Sequence, residues 1–290
     1  MASYNKNYRR FLITVVVIWF IGLLVWYLHA KNFAILNPRG LVAIKQRRLM
    51  LTTVLLSLIV VIPVYVMLFS FAWRYREGRK ARYSPNLSGH WLLETIWWGI
   101  PSILILILSV ITWNTSHSLA PQQPLASTVK PLTIQVVALQ WNWLFIYPEQ
   151  KVASLNYVEL PVGQPVRFKI TADAPMNSFW IPQLGSQIYA MPGMSTTLNL
   201  RADQAGSYEG SSANISGRGF ADMRFTAQAD TPGSFEDWLQ STQLAADPLE
   251  MSDYNQLAKP SDHRSPKVFS SVAPDLYDQV LLKYTGPGRS

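Results

Sequence analysis

The chain has 290 residues, no cysteine and a formal net charge of +8, and 49% of it is hydrophobic. That length accommodates one good-sized domain plus membrane segments. The lack of cysteine excludes disulfides, thiolate metal ligands and an acylated N-terminal cysteine. The charge is divided: residues 1–113 carry 13 Lys/Arg against Glu77 and Glu94, whereas residues 114–290 carry 12 Lys/Arg against 15 Asp/Glu. A basic surplus confined to the flanks of apolar runs suits cytoplasmic loops and lipid headgroups, and argues against a nucleic-acid partner.

Three apolar runs come first. Phe11–Leu28 follows Lys6, Arg9 and Arg10 and holds no charge, Leu49–Trp73 holds none and ends at Arg74, and Trp91–Trp113 carries only Glu94. At ~1.5 Å per residue each makes ~27–37 Å of helix, enough to cross ~30 Å of hydrocarbon. The stretch Arg74-Tyr75-Arg76-Glu77-Gly78-Arg79-Lys80-Ala81-Arg82 is the densest basic loop. It predicts the cytoplasmic side there, the N-terminus beside it, and everything after Trp113 in the opposite compartment. Segment 31–48 also carries Lys31, Arg39, Lys45, Arg47 and Arg48, but these are dispersed and the two other flanks outweigh them. Trp73, Tyr75, Trp91 and Trp113 stand at run ends, as interfacial anchors or as helix contacts. The first run reads as a signal peptide or an uncleaved anchor. Its length exceeds the usual signal core, and Leu28-His29-Ala30 is a poor cleavage site. Glu94 has two readings: an intramembrane carboxyl on a proton path, or a first-turn carboxylate favoured by the helix dipole.

From Pro131 the hydrophobic period changes. Val166–Thr171 and Met223–Gln228 alternate strictly, and Thr133–Leu139 and Thr197–Leu200 are further strand candidates. Turn signals at Pro161–Pro165, Pro192-Gly193, Ala205-Gly206 and Gly217-Arg218-Gly219 punctuate them, as in a sandwich or Greek-key barrel. After Thr231 the pattern turns helical: Ser234-Phe235-Glu236-Asp237 resembles a capping box. Pro274 is placed to open a last helix, Asp275–Tyr284, with Lys283 in its final turn and Gly286 beyond. The linker between them, with Tyr254 and Phe269, is expected to pack along the barrel or a neighbour. Gly217-Arg218-Gly219 precedes a strand, which argues against phosphate binding. His117 and His263 are the only histidines after the membrane part, and nothing pairs them with a nucleophile.

Four blocks in fixed order carry a family resemblance: Gln140–Tyr147, Asn177–Gly185, Ala190–Met194 and Gly210–Met223. With the preceding apolar hairpin they resemble subunit II of haem–copper respiratory oxidases over roughly residues 38–285. The fold implied is an α+β membrane protein: a transmembrane helical hairpin, with an N-terminal signal or anchor helix, and a cupredoxin-like Greek-key β-barrel with C-terminal helices. Its expected divisions are a signal or anchor over 1–36, the hairpin over 37–120, a periplasmic cupredoxin-like domain without copper over 121–230, and an aromatic-rich helical tail over 231–290.

In the cytochrome c oxidases of this family a two-copper centre occupies the later blocks. Carried over residue by residue, its first His falls on Asn177, its two Cys on Ser212 and Ser216, its carbonyl-donating Glu on Asn214, its second His on Phe220 and its Met on Met223. None of the four strong side-chain donors is present, and hydroxyl or amide groups do not replace bridging thiolates for a soft copper pair. The chain thus resembles the copper-free branch, subunit II of bacterial quinol oxidases of the cytochrome bo type. Met176–Phe179 and Gly185–Ala190 look particularly like that branch, although its usual lipoprotein cysteine is missing here.

The resemblance implies a non-redox subunit of a proton-pumping quinol:oxygen oxidoreductase in the bacterial inner membrane. No cofactor is expected in this chain. The haems and one copper would reside in subunit I, electrons would come from ubiquinol and not from cytochrome c, and the partners would be the other oxidase subunits and lipid. Glu94, within Glu94–Pro101, matches a glutamate at the mouth of a proton pathway into subunit I. Trp141 and Trp143 would then be structural. The rival readings are a cytochrome c oxidase subunit with an atypical metal site and a stand-alone membrane-anchored binding or sensor module.

Overall fold

The computed structural model describes residues 33–77, 89–245, 247–261 and 264–285, with isolated positions between 8 and 27. The run Phe11–Leu28 as a continuous span, the basic residues Arg79, Lys80 and Arg82, and His263 and Gly286 lie outside the described residues.

Both described membrane runs form helices longer than their apolar stretches: α1 (Leu41–Arg74) and α2 (Trp91–Ser118). Each is long and apolar enough to cross a bilayer. α1 starts well before Leu49 because its first turns are held by the β domain and not by lipid. The Arg39 and Gly40 amides donate to the Gln183 carbonyl (2.8 and 3.2 Å), and the Ala43 amide donates to the Leu184 carbonyl (3.1 Å). Gly40 is required there: a Cβ would sit 2.6 Å from the Arg201 carbonyl oxygen. At the other helix, α2 hands over to Pro121, whose carbonyl accepts from the Asn199 amide at 2.9 Å. The start of α1 and the end of α2 therefore lie at the β domain, and Arg74 and Trp91 lie at the opposite end of the hairpin. Beyond Val42 and Ala43 the two helices bury no residue, so their apolar side chains await lipid or a partner. Each carries an interior proline, Pro63 and Pro101, which removes a helix hydrogen bond, and both line the crevice where the helices approach.

Among the described residues eleven strands follow: β1 (Leu132–Ala138), β2 (Trp143–Tyr147), β3 (Val152–Leu155), β4 (Tyr157–Pro161), β5 (Val166–Ala172), β6 (Asn177–Trp180), β7 (Ile188–Ala190), β8 (Thr196–Leu200), β9 (Gly206–Ser212), β10 (Arg224–Asp230) and, in the tail, β11 (Lys267–Phe269). They form two sheets, ordered β11-β3-β2-β1-β5-β8 and β4-β10-β9-β6-β7. The β1–β5 and β4–β10 pairs are parallel and the others antiparallel, the mixed pairing of a cupredoxin-like Greek key. Between the sheets Trp143, Phe145, Phe168, Phe179 and Phe225 pack ring against ring, with Phe179 and Phe225 stacked at 5.1 Å.

After its first helix, which packs Phe235 and Leu239 into the core between the sheets, the tail covers the outer face of the first sheet. It comprises α3 (Pro232–Ala245), α4 (Met251–Leu257), β11 and α5 (Leu276–Thr285). Tyr254, Leu257, Phe269, Leu276, Tyr277 and Val280 form a second core with Val137, Leu139, Leu144 and Ile146. Two expectations are corrected. α3 opens at Pro232 under a Thr231 cap, whose hydroxyl accepts from the Ser234 amide at 3.3 Å, so Ser234 is not the cap. The capping box belongs to α4, between Glu250 and Asp253. The last helix starts at Leu276, because Asp275 sits at φ 54, outside helical geometry.

Candidate functional site

The positions that the resemblance assigns to copper ligands converge where β6, β9 and the β9–β10 loop meet. β6 and β9 pair antiparallel through Phe179–Ser212 and Trp180–Ser211, which brings Asn177 beside Ser212. The loop closes on itself: the Ser212 amide donates to the Met223 carbonyl at 3.1 Å and the Ala213 amide to the Ser178 carbonyl at 3.0 Å. Ser212 Oγ donates to Asn177 Oδ1 at 3.0 Å and lies 3.3 Å from the Asn214 carbonyl. Asn177 Nδ2 donates to the Pro175 carbonyl at 2.8 Å, and Asn214 Nδ2 donates to the Met176 carbonyl at 3.0 Å. Asn177 and Ser212 are both buried, so these bonds replace water that the two groups would otherwise need.

The side chains at the remaining positions are not part of that network. The Ser216 hydroxyl is buried with no hydrogen-bond partner in the structure. Phe220 opens a short 3-10 turn, Phe220–Asp222, and lines a cleft of about 540 Å³ with Pro182, Ser211, Ser212 and Arg224. The Met223 side chain is fully buried in the aromatic core. What this arrangement does chemically is hold a loop shut: neutral amide and hydroxyl groups bonded to one another and to backbone. Soft copper takes thiolate and imidazole, and this set offers neither. Among the described residues no group of three or more His, Cys, Asp or Glu could hold a metal ion.

The two tryptophans occupy structural positions. Trp143 is fully buried between the sheets. Trp141, at φ 65 in the β1–β2 turn, is the platform on which Gly217-Arg218-Gly219 lies. A Cβ on Gly219 would sit 2.4 Å from the Trp141 ring, and the Arg218 guanidinium stands 6.0 Å above it. These glycines let the chain cross an indole.

Glu94 is in the first turn of α2, at the hairpin end remote from the β domain, with its side chain exposed. Its neighbours Leu93, Ile96 and Trp97 line the crevice against α1, and Glu94 lies off that crevice.

Three further polar centres were not singled out from sequence. The Asp173 carboxylate accepts from Tyr254 Oη (2.7 Å), Lys283 Nζ (2.6 Å) and Tyr284 Oη (2.6 Å), tying α4 and α5 to the end of β5. Burial and the adjoining Asp173 carboxylate hold the Tyr254 hydroxyl far above its ordinary pKa. Asn156 Nδ2 donates to Asn142 Oδ1 (2.7 Å) and to the Arg264 carbonyl (2.8 Å), pinning the tail to the β1–β2 and β3–β4 turns. Glu159, buried on β4, accepts from the Tyr157 hydroxyl and has Asp230 beside it. A lone acid on an otherwise apolar strand was the available signal for Glu159. For Asp173 there was none, because its partners lie far along the chain.

The family model described as "Cytochrome C oxidase subunit II, periplasmic domain" matches residues 149–229, and "COX Aromatic Rich Motif" matches residues 245–288. A Pseudomonas aeruginosa protein named cytochrome bo(3) ubiquinol oxidase subunit 2 is 47% identical over 258 residues, covering 89% of this chain and 78% of that protein. The Acetobacter aceti ubiquinol oxidase subunit 2 is 44% identical over 253 residues, covering 86% and 82%. Among solved structures, the periplasmic domain of subunit II of a Bradyrhizobium japonicum cytochrome oxidase is 23% identical with a TM-score of 0.37, covering 40% of this chain and 96% of that one. The chain belongs to the family of ubiquinol oxidase subunit 2.

Proposed function

We propose that this chain is the subunit II of a proton-translocating ubiquinol:oxygen oxidoreductase and contributes no redox centre to it. The observation that carries this reading is the donor set: where a copper pair would need two thiolates and two imidazoles stand Ser212, Ser216, Asn177 and Phe220. Asn177 and Ser212 are moreover bonded to each other. Electrons then reach oxygen through subunit I, which holds the haems and one copper and receives ubiquinol from the bilayer. No water-side cytochrome c is needed.

The hairpin supports the same reading. Two apolar helices with almost no buried surface of their own supply a face for subunit I and a face for lipid in the inner membrane. The β domain sits at the periplasmic end, over the outer face of subunit I. Glu94 lies at the cytoplasmic end, where an ionised carboxylate is costly against lipid and useful at a proton entrance.

The test is a purified complex assayed for oxygen uptake with ubiquinol and with reduced cytochrome c, alongside metal analysis. Quinol activity with a single copper per complex is the expected result. Cytochrome c activity with three coppers would replace this reading with a metal-bearing one, and isolation without haem partners would replace it with a stand-alone module.

A further inference from the structure

The outer end of α1 departs from the charge distribution of the rest of the membrane part. Gly40 and Ala43 are bonded to the β domain, so Lys45, Arg47 and Arg48 lie on that side of the membrane, immediately before the apolar run begins at Leu49. Membrane proteins concentrate Lys and Arg on the cytoplasmic side. Cations on the other side run against that bias, and no described residue of the chain supplies their counter-charge. All three side chains are exposed, and none forms an ion pair among the described residues.

Beside Arg47 a cavity of about 690 Å³ opens between α1 and the barrel, lined in part by Ile35, Gln46, Arg47, Met50, Trp180 and Ser186. Gln46 Nε2 donates to Ser186 Oγ at 2.5 Å, which leaves the Ser186 hydroxyl hydrogen and the Arg47 guanidinium as donors toward a ligand. Trp180 is tied back by its Nε1 to the Gly185 carbonyl at 3.1 Å, so its ring forms a fixed wall. Ile35 and Met50 are apolar, and Met50 belongs to the stretch that enters hydrocarbon. A cationic, hydrogen-bonding mouth at headgroup depth above an apolar floor is complementary to one class of molecule. The guanidinium fork matches two phosphate oxygens, and acyl chains continue down α1.

We propose that Arg47, with Ser186 beside it, binds the phosphodiester headgroup of an anionic phospholipid of the outer leaflet, seating the barrel on the membrane at the start of α1. Lys45 and Arg48, on the other side of the helix, add to the local positive potential without entering the cavity. The inference rests on the hairpin spanning the membrane with the barrel outside, and on nothing concerning quinol or Glu94.

The test uses the intact detergent-purified complex, delipidated and titrated with phosphatidylglycerol and phosphatidylcholine under native mass spectrometry. The parent complex is expected to bind phosphatidylglycerol in preference. Arg47→Gln should weaken that binding about fivefold, the contribution of one basic residue near a charged surface, and Arg47→Lys, which keeps the charge and loses the fork, should fall between the two. Equal phosphatidylglycerol binding by Arg47→Gln, or equal binding of the two lipids by the parent, would overturn the proposal. Loss of subunit I from the Arg47→Gln complex would also overturn it, assigning Arg47 to a carboxylate of that subunit. Quinol oxidation by the same preparation tests the subunit reading separately: an inactive parent that still binds the lipid fails that reading and leaves this one standing.

Discussion

Asp173 and Lys283 form an ion pair at 2.6 Å between positions 110 residues apart, with the Asp173 side chain 1% exposed and the Lys283 side chain 53% exposed. The exposed ammonium contributes little by itself. The weight is on the carboxylate, which also accepts both Tyr254 and Tyr284 hydroxyls. Asp173→Ala removes the acceptor of the buried Tyr254 hydroxyl and should weaken tail docking by about 2–4 kcal/mol. Lys283→Ala should cost under about 1 kcal/mol. Limited proteolysis of the segment after β10 measures both: rapid cleavage in the first variant, near-parental resistance in the second.

Glu159 sets a pH dependence. Burial holds its carboxyl up at about 7, and Asp230 pushes the same way, against the hydrogen bond from Tyr157. An unfolded glutamate titrates near ~4.3. Between ~4.3 and about 7 the unfolded chain therefore releases a proton that the fold retains, so stability is full below the unfolded value and falls as pH rises through about 7. The loss should be about 1–3 kcal/mol. Unfolding midpoints of the solubilised subunit from about pH 4 to about pH 8 check this, and Glu159→Gln should flatten the curve.

The correspondence of the copper positions can be tested by restoring donors. Asn177→His, Ser212→Cys, Ser216→Cys and Phe220→His together, with native Met223, supply two thiolates, two imidazoles and a thioether on one framework. Copper addition should then give the near-infrared band of a mixed-valence copper pair. The variant lacking both cysteine substitutions should stay colourless. If the full set also stays colourless, the assigned register of the β9–β10 loop is wrong.

For Glu94, the expected result is slower quinol oxidation in Glu94→Gln with haem content and subunit composition unchanged. Normal turnover at saturating quinol would return Glu94 to a helix-terminal carboxylate without a part in proton uptake.

How legible the fold was in the sequence depended on what covers each face. β5 and β10 bury one set of side chains and leave the alternate set partly open, so their period of two was visible. β2 was not predicted as a strand, because all five residues of Trp143–Tyr147 are buried. Trp143, Phe145 and Tyr147 face the other sheet while Leu144 and Ile146 face the tail, and a strand covered on both sides loses its polar alternation. The extra turns of α1 were hidden for a different reason: Lys45, Gln46, Arg47 and Arg48 read as a polar flank, yet backbone bonds to Gln183 and Leu184 make that flank helical. Of the candidate site, only the residue types at the expected copper positions were readable. That Asn177 and Ser212 pair with one another, and that Ser216 does not join them, required the structure.

The closed β9–β10 loop bears on how the subunit is made. A domain that completes this loop with metal must wait for copper delivery and must keep two thiols reduced in an oxidising compartment until it arrives. Here the amide of Asn177 and the hydroxyl of Ser212 close the loop with atoms the chain brings with it. Maturation of this barrel is thereby uncoupled from metal supply and from the redox state of the periplasm.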